Sequence, residues 1–160
     1  MVDHLPAIVA LTYLPVVLVG LLLALDLGSR LRIPTARRCL DLYEGAPRTT
    51  KLAALLLAMT GAVHLALVAT HVDQPVTAAL FAIDGLSLTG FSGLVFLRGT
   101  MSAAAVGLLA ASLSGYALYL LAGLESLDAV GVATKLIEVS AAGLLLSQWA
   151  TLTPKELLLR

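Results

Sequence analysis

Four ionisable residues lie inside long apolar stretches of the sequence, where their side chains are costly to place. They are His64, Asp84, Lys135 and Glu138. An ionisable group in a membrane-spanning helix costs several kcal/mol unless it is paired or hydrated, so each one requires a partner or a function. A rise of 1.5 Å per residue from the predicted outer helix ends gives all four a depth of roughly 9–14 Å, and Tyr116 reaches the same depth. We therefore expect one buried cluster with an imidazole, an ammonium, two carboxylates and a phenol.

The charges of this cluster fit a structural or a functional role. Lys135 and Glu138 are three residues apart and share one helix face. In the structural interpretation, Lys135 pairs with Asp84 or Glu138 and His64 bonds a neighbouring helix, which fixes helix register in lipid. In the functional interpretation, two carboxylates outnumber one lysine. The spare negative charge is then balanced by a protonated His64, by a bound cation, or by a carboxyl group kept neutral through burial.

A second polar group is expected near the outer surface, and it is the candidate for a metal ion. His64 and His71 are seven residues apart, or about 10.5 Å along a helix, so they cannot share one metal at bond lengths of about 2.0–2.2 Å. A metal site would instead use His71 with acidic residues of the outer loops, completed by His4. These candidate ligands are His4, His71, Asp73, Glu125 and Asp128. Haem is not expected, because the sequence has no C-x-x-C-H motif and few histidines to face one another.

The composition places these residues in a membrane protein. Hydrophobic residues make up 59% of the 160 residues and charged residues only 12%, with a mean hydropathy of +0.98. Soluble domains carry about 25% charged residues. The formal net charge is zero, so nothing indicates a nucleic-acid partner. No positively charged region precedes the first apolar stretch, which we expect to remain in the mature protein.

Five apolar stretches of roughly 20 residues are each long enough to cross a bilayer. They predict an all-α, polytopic transmembrane helix bundle, a single domain over 1–160 and a multi-pass protein of the cell membrane. The predicted spans are 5–25, 52–72, 76–97, 101–123 and 129–152. Pro15 lies inside the first span, which a membrane helix tolerates.

Lysine and arginine give the orientation. They concentrate in the loop 27–51, at Arg98, and after the fifth span, and five crossings bring these three places to one side. The opposite side carries acidic residues only. The positive-inside rule then predicts an outside N-terminus and a cytoplasmic C-terminus.

The basic loop 27–51 is predicted to contain a short helix that begins at Pro34 and continues to Tyr43. Its arginines and leucines suit a segment lying on the anionic inner leaflet. The alternative is a solvated loop whose charges only set the orientation. The single cysteine, Cys39, falls here and is expected to be a free cytoplasmic thiol.

The stretch Gly61-Ala62-Val63-His64-Leu65-Ala66-Leu67-Val68-Ala69-Thr70-His71 follows a G-x-x-H-L-A-L-x-x-x-H pattern. With the later Val130-Gly131 and Glu138, it resembles a group of small bacterial polytopic membrane proteins of unknown function. The resemblance covers roughly 60–140 and implies no activity. It draws attention to His64, His71 and Glu138.

Three functions are compatible with these residues. In the first, the cluster opens to the extracytoplasmic side and handles a proton, a metal ion or a small polar ligand. In the second, the chain is an accessory or assembly subunit of a respiratory or oxidase-type membrane complex. In the third, it is an enzyme acting on lipid or quinone, with His64, Tyr116 and Tyr119 near the substrate. No nucleophile motif such as G-x-S-x-G is present, so no catalytic residue is predicted. Partners beyond the bilayer would be other membrane subunits or further copies of the chain.

Overall fold

The computed structural model describes residues 5–96, 100–123 and 127–150, and the described chain is helical throughout its regular structure. Five helices are long and apolar enough to cross a membrane, which agrees with the predicted all-α class. A sixth, α2, is short. The helices are α1 (Leu5–Arg30), α2 (Pro34–Gly45), α3 (Arg48–Val68), α4 (Pro75–Leu94), α5 (Thr100–Leu121) and α6 (Ala129–Ala150).

The helix ends differ from the predicted spans by a few residues. The first helix continues to Arg30, beyond the predicted end of the span at 25, and its last turn contains an exposed ion pair between Arg30 Nε and Asp26 Oδ2 at 2.9 Å. The third begins at Arg48 and ends at Val68, so His71 lies in the turn that follows rather than in the helix. Hydropathy marks where a helix enters lipid, whereas the hydrogen bonds of the backbone decide where it ends.

Helix α2 occupies the basic loop, where a short helix was predicted. Pro34 stands in its first turn, where a missing backbone N–H costs nothing. No residue of α2 is buried. Lys51 Nζ donates to the carbonyl oxygen of Glu44 at 3.3 Å and lies 4.7 Å from the ring centroid of Tyr43. The Tyr43 ring also lies 6.1 Å from that of Phe96, so α2 is held against the bundle end where α3 begins and α4 finishes.

Helix α3 is the centre of the bundle and packs against α1, α4 and α6, while α5 contacts α4 and α6. The closest approach is between α3 and α4, at Gly61 and Gly85. A Cβ atom added to Gly61 would lie 2.9 Å from the backbone oxygen of Gly85, and one added to Gly85 would lie 2.9 Å from the backbone oxygen of Gly61. Real Cβ contacts are longer, so the two helices meet backbone to backbone. This close approach places the side chains of His64 and Asp84 in contact.

The bundle has an apolar half and a polar half. The buried hydrophobic core lies in the half beside α2, where Leu57, Leu88, Leu109 and Leu145 are fully buried. His64 of α3 and Glu138 of α6, which are buried and ionisable, lie in the other half. The polar half is the outer half in the predicted orientation.

Candidate functional site

The structure brings four of the sequence-predicted residues into one cluster of ionisable side chains. His64 Nδ1 lies 3.0 Å from Asp84 Oδ2, and His64 Nε2 lies 3.6 Å from Glu138 Oε1. Lys135 Nζ donates to the same Glu138 oxygen at 2.7 Å. The cluster therefore joins helices α3, α4 and α6 through two ion-paired carboxylates, and His64 stands between them.

Ser112 of α5 lies at the centre of this cluster, and the sequence analysis did not select it as a site residue. Its hydroxyl lies 2.8 Å from Asp84 Oδ2 and 3.3 Å from Glu138 Oε1, and it accepts a hydrogen bond from Lys135 Nζ at 2.9 Å. A hydroxyl has one hydrogen, so it donates to one carboxylate at a time. Ser112 thereby connects the two ion pairs.

Burial within the cluster is graded. The side chain of Glu138 is 0% exposed, and that of His64 is 4% exposed. The exposed fraction rises to 14% for Lys135 and 21% for Asp84. Glu138 is therefore the enclosed end of the cluster, while Asp84 and Lys135 reach a pocket.

The pocket has a volume of about 310 Å³ and lies among α3, α4, α5 and α6. Its walls are mainly apolar, and its polar floor contains Asp84, Ser112 and Lys135. Leu80 and Ile83 of α4 line it and are 51% and 63% exposed. The pocket therefore borders an exposed surface of α4.

Tyr116 forms part of the pocket wall above Lys135. Its ring centroid lies 5.4 Å from Lys135 Nζ, a distance suited to a cation–π contact. Gly131 of α6 makes this position available, because a Cβ atom there would lie 2.6 Å from the Tyr116 hydroxyl.

His71 lies apart from the cluster and lines the same pocket. Its Nδ1 atom lies 2.9 Å from the carbonyl oxygen of Leu67 and 3.0 Å from the hydroxyl of Thr70. The Phe81 ring packs between the two imidazoles, with its centroid 5.0 Å from that of His71 and 5.7 Å from that of His64. The two histidines therefore flank one phenyl ring and do not share a ligand.

The candidate metal ligands give no assembled centre in the described part of the chain. Asp128 Oδ1 accepts a hydrogen bond from the backbone N–H of Gly131 at 2.8 Å and so caps α6. Asp73 is exposed in the turn between α3 and α4. His4 and Glu125 lie outside the described residues. Among those that are described, no three His, Cys, Asp or Glu side chains are arranged to hold a metal ion.

Comparison with protein families, with curated proteins and with solved structures finds no match for this chain.

Proposed function

We propose that this chain is a membrane-spanning protein that binds a small amphipathic molecule in the pocket between α4 and α5. The polar end of the molecule contacts Asp84 and Lys135, and its apolar body lies along the walls. One observation carries this proposal: an apolar pocket ends on the exposed edge of an otherwise buried ionic cluster.

The shape and chemistry of the pocket support a small ligand. Protein sites for small molecules are mostly apolar, have a few convergent polar groups, and occupy about 300–1,000 Å³. This pocket has about 310 Å³, the lower end of that range. A proton or a metal ion needs no apolar walls, so the walls favour a ligand with an apolar part.

The closed apolar half of the bundle supports binding over conduction. Leu57, Leu88, Leu109 and Leu145 are fully buried on the far side of the cluster. A hydrated path through this half of the bundle would have to displace them. The pocket is therefore a blind site with access from one half of the bundle.

Gly115 provides a direct test, because it lines the pocket and a Cβ atom there would meet nothing within 4 Å. Gly115→Leu should fill the pocket without disturbing helix packing. The matched control is Gly107→Leu on the same helix, where the added Cβ is equally unobstructed and the residue does not line the pocket. The probes are a para-hexylphenol with a diazirine in its alkyl chain and the corresponding methyl ether.

Protein reconstituted in lipid nanodiscs is photolabelled at increasing probe concentrations, and the labelled peptides are identified by mass spectrometry. We expect saturable labelling of α4 and α5 by at least one probe, lost in Gly115→Leu and retained in Gly107→Leu. Labelling that rises without saturation, or that persists in Gly115→Leu, contradicts the proposal.

A further inference from the structure

We infer that the polar end of the ligand is a hydroxyl group, so that the pocket takes an amphipathic alcohol or phenol. This inference rests on the proposed function and adds the chemical class of the ligand. It is drawn from the hydrogen-bonding capacity that Asp84 and Lys135 retain at the pocket floor.

Asp84 offers an acceptor to the pocket. Its Oδ2 atom receives the contacts from His64 Nδ1 and the Ser112 hydroxyl. No group in the described part of the chain bonds its Oδ1 atom. An ionised carboxylate has about four lone-pair positions on its two oxygens, and Asp84 is the most exposed member of the cluster. A bound molecule can therefore donate a hydrogen bond to Oδ1.

Lys135 offers a donor beside this acceptor. An ammonium has three N–H donors, and Lys135 uses two of them, on Glu138 Oε1 and on the Ser112 hydroxyl. No acceptor in the described part of the chain takes the third. Asp84 and Lys135 both bond Ser112, at 2.8 and 2.9 Å, so the available acceptor and donor are near neighbours.

A hydroxyl group fits this pair because one oxygen both donates and accepts. It would donate its hydrogen to Asp84 Oδ1 and accept a hydrogen bond from Lys135. A carbonyl, as in a quinone, can only accept a hydrogen bond, so it leaves Asp84 Oδ1 without a donor. An ammonium can only donate and would lie against Lys135, while a carboxylate can only accept and would face Asp84. A neutral hydroxyl also leaves the charges of the two ion pairs balanced as they are.

The test compares the two probes of equal size. Para-hexylphenol carries the hydroxyl, and para-hexylanisole carries a methoxy group that accepts but cannot donate. Each unlabelled compound competes with the photoreactive phenol on the wild-type protein in nanodiscs. Hydrogen bonds to charged groups are strong, so we expect the phenol to compete at a concentration about tenfold lower than the ether, or less.

Asp84→Asn gives a second, independent readout. The Ser112 hydroxyl donates a hydrogen bond to Oδ2 of this residue, and His64 Nδ1 lies 3.0 Å from the same atom. We therefore expect the amide oxygen to face Ser112 and the amide nitrogen to face the pocket. The pocket would then offer two donors, and the preference for phenol over ether should disappear or reverse. Asp26→Asn on α1, an identical change at an exposed ion pair, should leave the preference unchanged.

The outcomes separate this inference from the proposed function. Equal competition by phenol and ether on the wild-type protein overturns the hydroxyl assignment, while saturable binding still supports the proposed function. Tighter binding of the ether also overturns it. If neither probe binds saturably, both the hydroxyl assignment and the proposed function are wrong. The comparison on the wild-type protein does not depend on whether any variant folds.

Discussion

At the scale of the residue, the ion pair of Lys135 and Glu138 explains how charges persist inside an apolar helix. Glu138 has no exposed surface, and its Oε1 atom receives Lys135 Nζ at 2.7 Å. Separating two such charges from water costs several kcal/mol per ion, which is offset only by close pairing and further hydrogen bonds. Ser112 and His64 provide these additional contacts.

Lys135→Met should destabilise the protein because it leaves Glu138 buried without its ammonium partner. Loss of one member of a buried pair typically costs about 3–5 kcal/mol. We expect a clear decrease in the thermal unfolding midpoint in mild detergent. The double variant Lys135→Met/Glu138→Gln should recover much of this loss, because no unpaired charge remains.

Arg37→Met, on the exposed face of α2, is the matched control that removes a cation without burial. It should leave the unfolding midpoint nearly unchanged. An unaltered midpoint in Lys135→Met would show that the pair contributes nothing to stability.

The residues of the cluster differ in how readily they can be predicted from the sequence. Four of them could be selected because an ionisable side chain in an apolar stretch costs free energy to bury. These are His64, Asp84, Lys135 and Glu138. Ser112 could not be selected, because serine is common in membrane helices as a small packing residue. Its role became apparent only when α5 was placed beside α4 and α6, since its partners are 23 to 28 residues away in sequence.

At the scale of the element, the backbone contact between α3 and α4 sets the geometry of the cluster. A Cβ atom on either Gly61 or Gly85 would lie only 2.9 Å from the backbone oxygen of the other. Small residues are common where membrane helices pack closely, but thirteen glycines gave no means of choosing this pair. Glycine pairing depends on the rotation of two helices about their axes, which hydropathy does not determine.

Gly61→Ala should force α3 and α4 apart and destabilise the bundle. Overpacking of a tight contact costs about 1–3 kcal/mol, which a lower thermal midpoint in detergent would report. Because the separation also moves His64 away from Asp84, saturable photolabelling of the pocket should weaken as well.

Gly90→Ala on α4 is the control, since its added Cβ meets nothing within 4 Å. Alanine is favoured over glycine within helices, so this variant should be as stable as the wild-type protein or slightly more stable. Equal midpoints for Gly61→Ala and Gly90→Ala would contradict the close contact.

At the scale of the whole molecule, the two ends of the bundle differ, because one half has an apolar interior and the other contains the buried ionisable cluster. The predicted orientation places the polar half outside and α2 in the cytoplasm, with its arginines at the anionic inner leaflet. Five apolar stretches were enough to predict the number of long helices. Their arrangement around α3 could not be read from the sequence, because lipid-facing and protein-facing residues are similarly apolar.

Cys39 allows the orientation to be measured with the natural sequence, because it is the only cysteine and is exposed on α2. A membrane-impermeant maleimide should label it in inside-out vesicles and leave it unlabelled in intact right-side-out vesicles. The control is Cys39→Ser/Val72→Cys, which moves the thiol to the exposed turn between α3 and α4. That variant should show the opposite pattern, and labelling of Cys39 in right-side-out vesicles would reverse the orientation.

Leu80 and Ile83 are exposed and also line the pocket, and this affects the units in which affinity must be expressed. A molecule that enters from the bilayer competes with acyl chains for the same space, so occupancy follows its mole fraction in the lipid rather than its concentration in water. At a fixed amount of probe, doubling the lipid per protein dilutes the probe and halves its occupancy when the site is far from saturation. Two laboratories using different lipid-to-protein ratios would report different aqueous dissociation constants for the same site.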